Sequence, residues 1–275
     1  MAGGRLREFS EVEALERAWG RLGRVRLLVV TPISASKHHL PAEAFRRAAA
    51  FARKRKALVF VDDAHMASRT GFFEEAPAFA MADVDLAVCS TDKHVPGPRA
   101  GVLVGRRDLI AAIRSRAFEL GLDAQAGQYA GVYNALRRFD AKAVAEAGQL
   151  ARQLLPRLQA RYGPARVYLG GPGVSIGGED AVEIARERGG HRRRSRLVPV
   201  EANTLIALSM LRGHGILTIS AVAMPGSAPV VRLMMYPDGG RLGLNRLEAA
   251  LDQGFDRLSE VLDDLEAARP LILGE

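Results

Sequence analysis

The sequence predicts an α/β fold: a mostly parallel sheet with flanking helices, followed by a smaller α+β C-terminal domain. Three observations predict it. Nearly continuous apolar runs, VRLLVVTPIS (25–34), ALVFVDD (57–63) and VDLAVCS (84–90), read as buried strands of a parallel sheet. Segments of helical period alternate with them. From about residue 124 the texture changes to long helical stretches and short strands, so the domains are drawn at 1–124 and 125–275.

Residues 10–20 (SEVEALERAWG) have helical spacing, with Ser10 as N-cap and Glu13 at the capping-box position. The helix PAEAFRRAAAFARKRK (41–56) opens on Pro41 and sets Ala44, Phe45, Ala48 and Phe51 on one face. After strand 57–63, FFEEAPAFA is a connection to strand 84–90. AGVLVG (100–105) is a further strand and RDLIAAIRSRAFELG (107–121) a helix. Residues 123–163 are largely helical. Short strands are expected at 166–171, 196–202, 216–223 and 230–236, with a helix over 203–215. GGPGVSIGG (170–178) reads as a glycine-rich loop, and 244–268 as one final amphipathic helix.

Apolar residues make up 48% of the 275, enough for a substantial core. No run approaches the roughly 18 uninterrupted apolar residues of a membrane span, and the first residues lack a secretory apolar stretch. A soluble cytoplasmic protein is expected. The lone Cys89 excludes an intramolecular disulfide and a cysteine-based metal site. The net charge of +8 suits an anionic partner, but arginine is spread along the chain. Only ARERGGHRRRSR (185–196) is dense enough to be a patch for nucleic acid, and it has no interleaved aromatics.

The chemistry is concentrated at two strand ends. VFVDDAHMASRTG (59–71) carries Asp62 and, three residues on, His65; DLAVCSTDKHVPGPRAGVLVG (85–105) carries Lys93 between Ser90 and Arg99. Each has a plainer reading alone: a capping acid, a satisfied histidine, a solvated loop lysine. Together they are what a pyridine-aldehyde cofactor requires. A carboxylate keeps a pyridine nitrogen protonated, an imidazole reaches the ring oxygen or stacks on the ring, and a partly desolvated lysine near cations forms a Schiff base with the aldehyde. Ser90 and Arg99 can contact a phosphate ester. Asp63 stands beside Asp62, but adjacent strand residues face opposite ways, so one acid alone should meet the ring.

The pattern VDDAH…STDK…GPRAGVLVG resembles the fold-type-I pyridoxal-phosphate enzymes. DKHVPGPRAGVLVGRRDLI followed by SRAFELGLDAQAGQYAGVYNALRRF is most similar to the selenocysteine synthase (seryl-tRNA selenium transferase) group and its archaeal-type relatives, and VDDAH also to the α-oxoamine synthases. The resemblance spans about 20–268. It implies an aspartate-aminotransferase-type fold with pyridoxal 5'-phosphate on Lys93, Asp62 at the pyridine nitrogen and His65 at the ring oxygen. It further implies Arg232, in VVRLMMYPDGG, at a substrate carboxylate.

The implied substrate is an amino acid or aminoacyl compound. The implied reaction is β-elimination or replacement, with transamination or acyl condensation as alternatives. A homodimer or larger assembly is also implied, with tRNA a less favoured partner. Such families begin with a glycine-rich turn opening a phosphate-cradling helix, and nothing before residue 25 matches it. The large domain is therefore expected to be incomplete at its N-terminus. The chain then reads as a truncated enzyme, a subunit completed by a partner, or a binding protein that has lost catalysis.

Overall fold

The computed structural model describes residues 4–34, 39–192, 195–220 and 229–274. The chain forms two compact units, the first running to Phe139 and the second from Asp140 onward with Gly71–Phe73 added to it. The division therefore falls later than 124, with helix 126–138 in the first unit.

The first unit contains α1 (Val12–Ala18), β1 (Leu27–Val30), α2 (Ala42–Lys54), β2 (Leu58–Asp62), α3 (Met66–Gly71, its last residue grouped with the second unit), β3 (Leu86–Ser90), β4 (Gly101–Gly105), α4 (Arg107–Glu119) and α5 (Ala126–Arg138). Its sheet has the order β1-β2-β3-β4. The first two pairings are parallel, while β3 and β4 form an antiparallel pair. The architecture is α/β, as expected from the alternating runs.

Helix α2 covers one face of this sheet. Its buried stripe is Phe45, Ala48, Ala49 and Ala52, one step round from the expected one, because Ala44 and Phe51 are only half-buried. Phe51 instead meets the Trp19 ring edge-on at 5.3 Å. Phe45, Ala49 and Ala52 pack on Val30, Val59, Val61 and Ala87. Fully burying a side chain such as Phe45 contributes about 2–3 kcal/mol. The opposite sheet face is half open. Leu27 and Val29 are each 48% exposed, and Leu58, Phe60, Leu86 and Val88 are only half-buried. Strand β1 is thus an edge strand with one wet face, not the buried strand its apolar run suggests. Helix α4 likewise buries none of its residues.

The second unit contains α6 (Ala141–Tyr162), β5 (Val167–Leu169), β6 (Gly173–Gly177), α7 (Gly178–Arg188), α8 (Pro199–His214), β7 (Ile219–Ser220), β8 (Val230–Met234), α9 (Leu244–Val261) and α10 (Leu265–Leu273). Its antiparallel sheet has the order β5-β6-β8-β7. Leu154, Leu158, Ile176, Leu205, Ile206, Met210, Leu251, Phe255 and Leu258 belong to one continuous core.

Four sequence expectations fail here for local reasons, and a fifth is met only in part of its range. The cap of α1 is Glu11, and it makes no side-chain bond, so the Ser10 capping box does not form. Residues 173–177 are the strand β6, not loop: Gly173 lies so close to β8 that a Cβ would come within 2.6 Å of the Leu233 carbonyl oxygen. Residues 199–202 open α8 instead of closing a strand, because Pro199 starts the helix and the Glu201 carboxylate accepts from Val198 N at 2.9 Å. The 216–223 strand is present at 219–220, and 221–223 lie outside the described residues. The final helix is two, since Asp264 caps a new start by accepting from Ala267 N at 3.1 Å.

The basic stretch 185–196 is paired with acids in part, while Arg192 and Arg196 are exposed. Arg186 pairs with Glu183, Arg188 with Asp252 and Asp256, and His191 with Asp263. Residues 193–194 lie outside the described set. Among the described residues, no helix is long and apolar enough to cross a membrane.

Candidate active site

Strand β2 ends at Asp62, and Asp63 is the first residue beyond it. Asp62 pairs with Val88 across the parallel β2–β3 ladder, so Asp62, Val88 and, two residues on, Ser90 lie on one sheet face. That is the half-open face. Asp62 is half-buried, and its Oδ1 accepts from Ala64 N at 3.2 Å, closing the turn after the strand.

Asp63 has the opposite fate. It is 2% exposed and accepts from Arg69 Nη1 at 2.8 Å and from Ala78 N at 3.0 Å. Arg69 is itself sealed, donating also to Glu75 at 3.0 Å and to the Ala76 carbonyl at 2.9 Å. Its guanidinium lies 5.3 Å from the Phe45 ring centroid. Asp63 is therefore engaged in the scaffold by Arg69 and Ala78. Both members of this pair were invisible as a pair in the sequence, although their i, i+6 placement around a short helix was there to be read.

His65 is 9% exposed, at the entrance to α3. Its ring centroid is 6.2 Å from that of His94, the residue after Lys93. The two strand ends therefore do converge. Ser68, also buried, binds His94 Nδ1 through Oγ at 2.9 Å. Neither Ser68 nor His94 was singled out by sequence, and nothing in the sequence announces that His94 has a positive φ of 64°.

The loop that carries Lys93 is closed below by Thr91. This fully buried hydroxyl donates to the carbonyls of Pro98 at 2.8 Å and Ala100 at 3.1 Å. Gly97 N returns a bond to the Thr91 carbonyl at 3.0 Å, and a Cβ on Gly97 would meet that oxygen at 2.7 Å. Lys93 itself is exposed, not the partly desolvated lysine expected. Arg99 is 96% exposed by side chain and stands 3.7 Å from Asp92. Beneath the loop, burial and then the Asp63 charge push the Cys89 thiol up from its ordinary range, which fits a structural cysteine.

Arg232 belongs to the second unit. It lies on β8 in register with Ser175 and Ile219 and is 5% exposed. Burial lowers its guanidinium from the ordinary value, against the opposing effect of Tyr168. Among the described residues there is no cluster of metal-ligating side chains.

Residues 3–161 match the aminotransferase class I and II family. The chain belongs to that family. It is 32% identical over 218 residues to a UPF0425 pyridoxal phosphate-dependent protein of Methanothermobacter thermautotrophicus, covering 78% of this chain and 54% of the relative. A second such protein, of Methanococcus maripaludis, is 28% identical over 82% of this chain and 58% of its own length. The chain thus spans little more than half the length of these relatives.

In fold, this aminotransferase-family chain is similar to the Sphingomonas wittichii serine palmitoyltransferase, with a TM-score of 0.61 and 19% identity, covering 92% of this chain and 60% of the other. It is also similar to a putative L-allo-threonine aldolase of Listeria monocytogenes, with a TM-score of 0.54 and 13% identity over 82% and 59% of the two chains.

Proposed function

We propose that this chain is a pyridoxal phosphate-dependent enzyme, or the major part of one, acting on an amino acid or aminoacyl substrate. The observation that carries the reading is the split between neighbouring acids: Arg69 engages Asp63, while Asp62 stands on the half-open face with Ser90, in the unit that holds His65 and Lys93. The donor set fits the cofactor: an acid for the ring nitrogen, an imidazole for the ring oxygen, a primary amine for the aldehyde and a hydroxyl for the phosphate. Family membership and the likeness to pyridoxal phosphate-dependent relatives support the same cofactor.

Bound pyridoxal phosphate supplies an electron-withdrawing pyridinium that stabilises the electron pair released at the substrate Cα. Asp62 would hold the proton on the ring nitrogen. His65, closed off from solvent, would orient the ring oxygen. Lys93 would hold the aldehyde and, once displaced by substrate, move the proton at Cα. Ser90 would donate to the phosphate, and Arg99 would add a charge-assisted contact on leaving Asp92. We assign Arg232 to the substrate carboxylate; a desolvated guanidinium binds such a group strongly.

For the reaction we favour β-elimination or replacement, on the resemblance of DKHVPGPRAGVLVGRRDLI to the selenium transferase group. Transamination stands second, on the family match. A homodimer or larger assembly belongs to the same proposal.

The test is to add pyridoxal phosphate, reduce with borohydride and map the adduct. A visible absorbance band and a label on Lys93, both weakened in Asp62→Asn, are expected. No band and no Lys93 label would overturn the reading for this polypeptide. With cofactor bound, release of a 2-oxo acid from a β-substituted alanine without an amino acceptor identifies elimination. Dependence on an added 2-oxo acid identifies transamination.

A further inference from the structure

Lys93 sits on a loop with two anchors. Thr91 fixes its base. The other anchor follows the lysine directly: His94 takes a left-handed backbone, φ 64°, and its Nδ1 is tied to Ser68 Oγ at 2.9 Å. A non-glycine residue in that region is uncommon and carries local strain, so something must hold it there. Val95, the next residue, is buried against Ala67 and Ala135, which places the loop's far side on α3 and α5. Ser68 is on α3, the helix that starts just after Asp62 and His65. The Ser68–His94 bond therefore joins the two strand ends that carry the candidate chemistry.

We propose that Ser68 is a positioning residue for Lys93. By holding His94 in its left-handed conformation, it fixes the backbone direction from which the lysine projects and the spacing of Lys93 from Asp62 and His65. The proposal rests on the cofactor reading above. It adds a residue that touches neither cofactor nor substrate and acts through His94.

The experiment compares the full chain as wild type, Ser68→Ala, Ser68→Thr and His94→Gly. The first readout is the rate at which added pyridoxal phosphate, trapped with borohydride, labels Lys93 relative to the exposed Lys54 and Lys56 in the same molecule. The second is amide hydrogen exchange over residues 91–97 without cofactor. Ser68→Ala should slow Lys93 labelling about five- to tenfold, the loss of one good hydrogen bond, and speed exchange in the loop. Ser68→Thr, which keeps the hydroxyl, should restore both. His94→Gly keeps the left-handed backbone without strain but loses the tie, so it should slow labelling too and guards against a misfolded Ser68→Ala.

Wild-type Lys93 labelling no faster than Lys54 and Lys56 sinks the cofactor reading and this proposal with it. Selective wild-type labelling that persists unchanged in Ser68→Ala and His94→Gly overturns this proposal alone, whatever the exchange rates do.

Discussion

Arg69 grips Asp63 at 2.8 Å with side chains only 1% and 2% exposed, one residue along from the half-buried Asp62. Two adjacent carboxylates thus have separable costs. Asp63→Ala leaves the buried Arg69 with Glu75 as its remaining carboxylate and takes the acceptor from Ala78 N, and should destabilise the fold by about 2–4 kcal/mol. Asp62→Asn should cost less than about 1 kcal/mol and instead weaken cofactor binding. Chemical denaturation of both variants beside cofactor titration checks this. The reverse ranking would return the ring acid to Asp63.

A pH limb should arise at Asp85. The residue is 1% exposed and accepts from Val59 N at 2.8 Å, Arg53 at 2.5 Å and Arg106 at 3.3 Å. Burial pushes its carboxyl up, but the backbone bond and the two arginines outweigh that and hold it below the ordinary carboxylate value of 3.8. A lowered native value means the stabilisation is present above that value and is lost as pH falls through the native one. Unfolding curves collected from about pH 5 down to 2 should show this acid limb shrink in Asp85→Asn, which also loses stability at neutral pH. An acid limb of unchanged size would place the titration elsewhere.

The alkaline side has a counterpart in the second unit. The Tyr162 hydroxyl donates to Asp252 at 2.6 Å, and burial followed by that bond pushes the phenol well above its ordinary 10.0. A raised native value makes stability fall as pH climbs past the unfolded value, because the native state holds its proton longer. Tyr162→Phe should remove that alkaline decline and cost about 1–2 kcal/mol at neutral pH. In ultraviolet titration the difference in tyrosine ionisation between the native protein and the unfolded chain should shrink by one tyrosine in Tyr162→Phe.

Close packing at Gly148 gives a steric prediction. A Cβ there would lie 2.3 Å from Phe72 Cδ2, and the ring is also held by the Arg152 guanidinium at 4.1 Å from its centroid. Gly148→Ala favours the helix intrinsically by about 1 kcal/mol, yet should be destabilising by roughly 1–3 kcal/mol from overpacking. A melting temperature at or above wild type would show that the ring yields freely.

Strand and helix existence was legible wherever apolar period and length agreed, as in β2, β3 and α2. It failed where one local contact decided the outcome. GGPGVSIGG reads as loop because glycine usually breaks strands, yet Gly173 is what lets β6 approach β8 so closely. At the site, Asp62, His65 and Lys93 were legible as residue types at strand ends. The burial of Asp63, the tie from Ser68 and the exposure of Lys93 were not, because each depends on which side chain a distant turn delivers. The half-open face was hidden for a related reason: an apolar run reports that a strand can be covered on both sides, not that it is.

The pleat of β2 also sets what kinds of genetic change this protein can tolerate. Asp62 and Asp63 are chemically identical and adjacent, but Asp62 ends the strand on the open face and Asp63, the first residue beyond it, turns to Arg69. A substitution at either position removes one role. A one-residue insertion or deletion between the end of α2 and Asp62 that shifted the strand's register would exchange the two faces, sending the apolar core residues outward as well. Point mutation can therefore reshape this site gradually, whereas length changes in that connection should be eliminated outright, and variation in gene length should collect elsewhere in the chain.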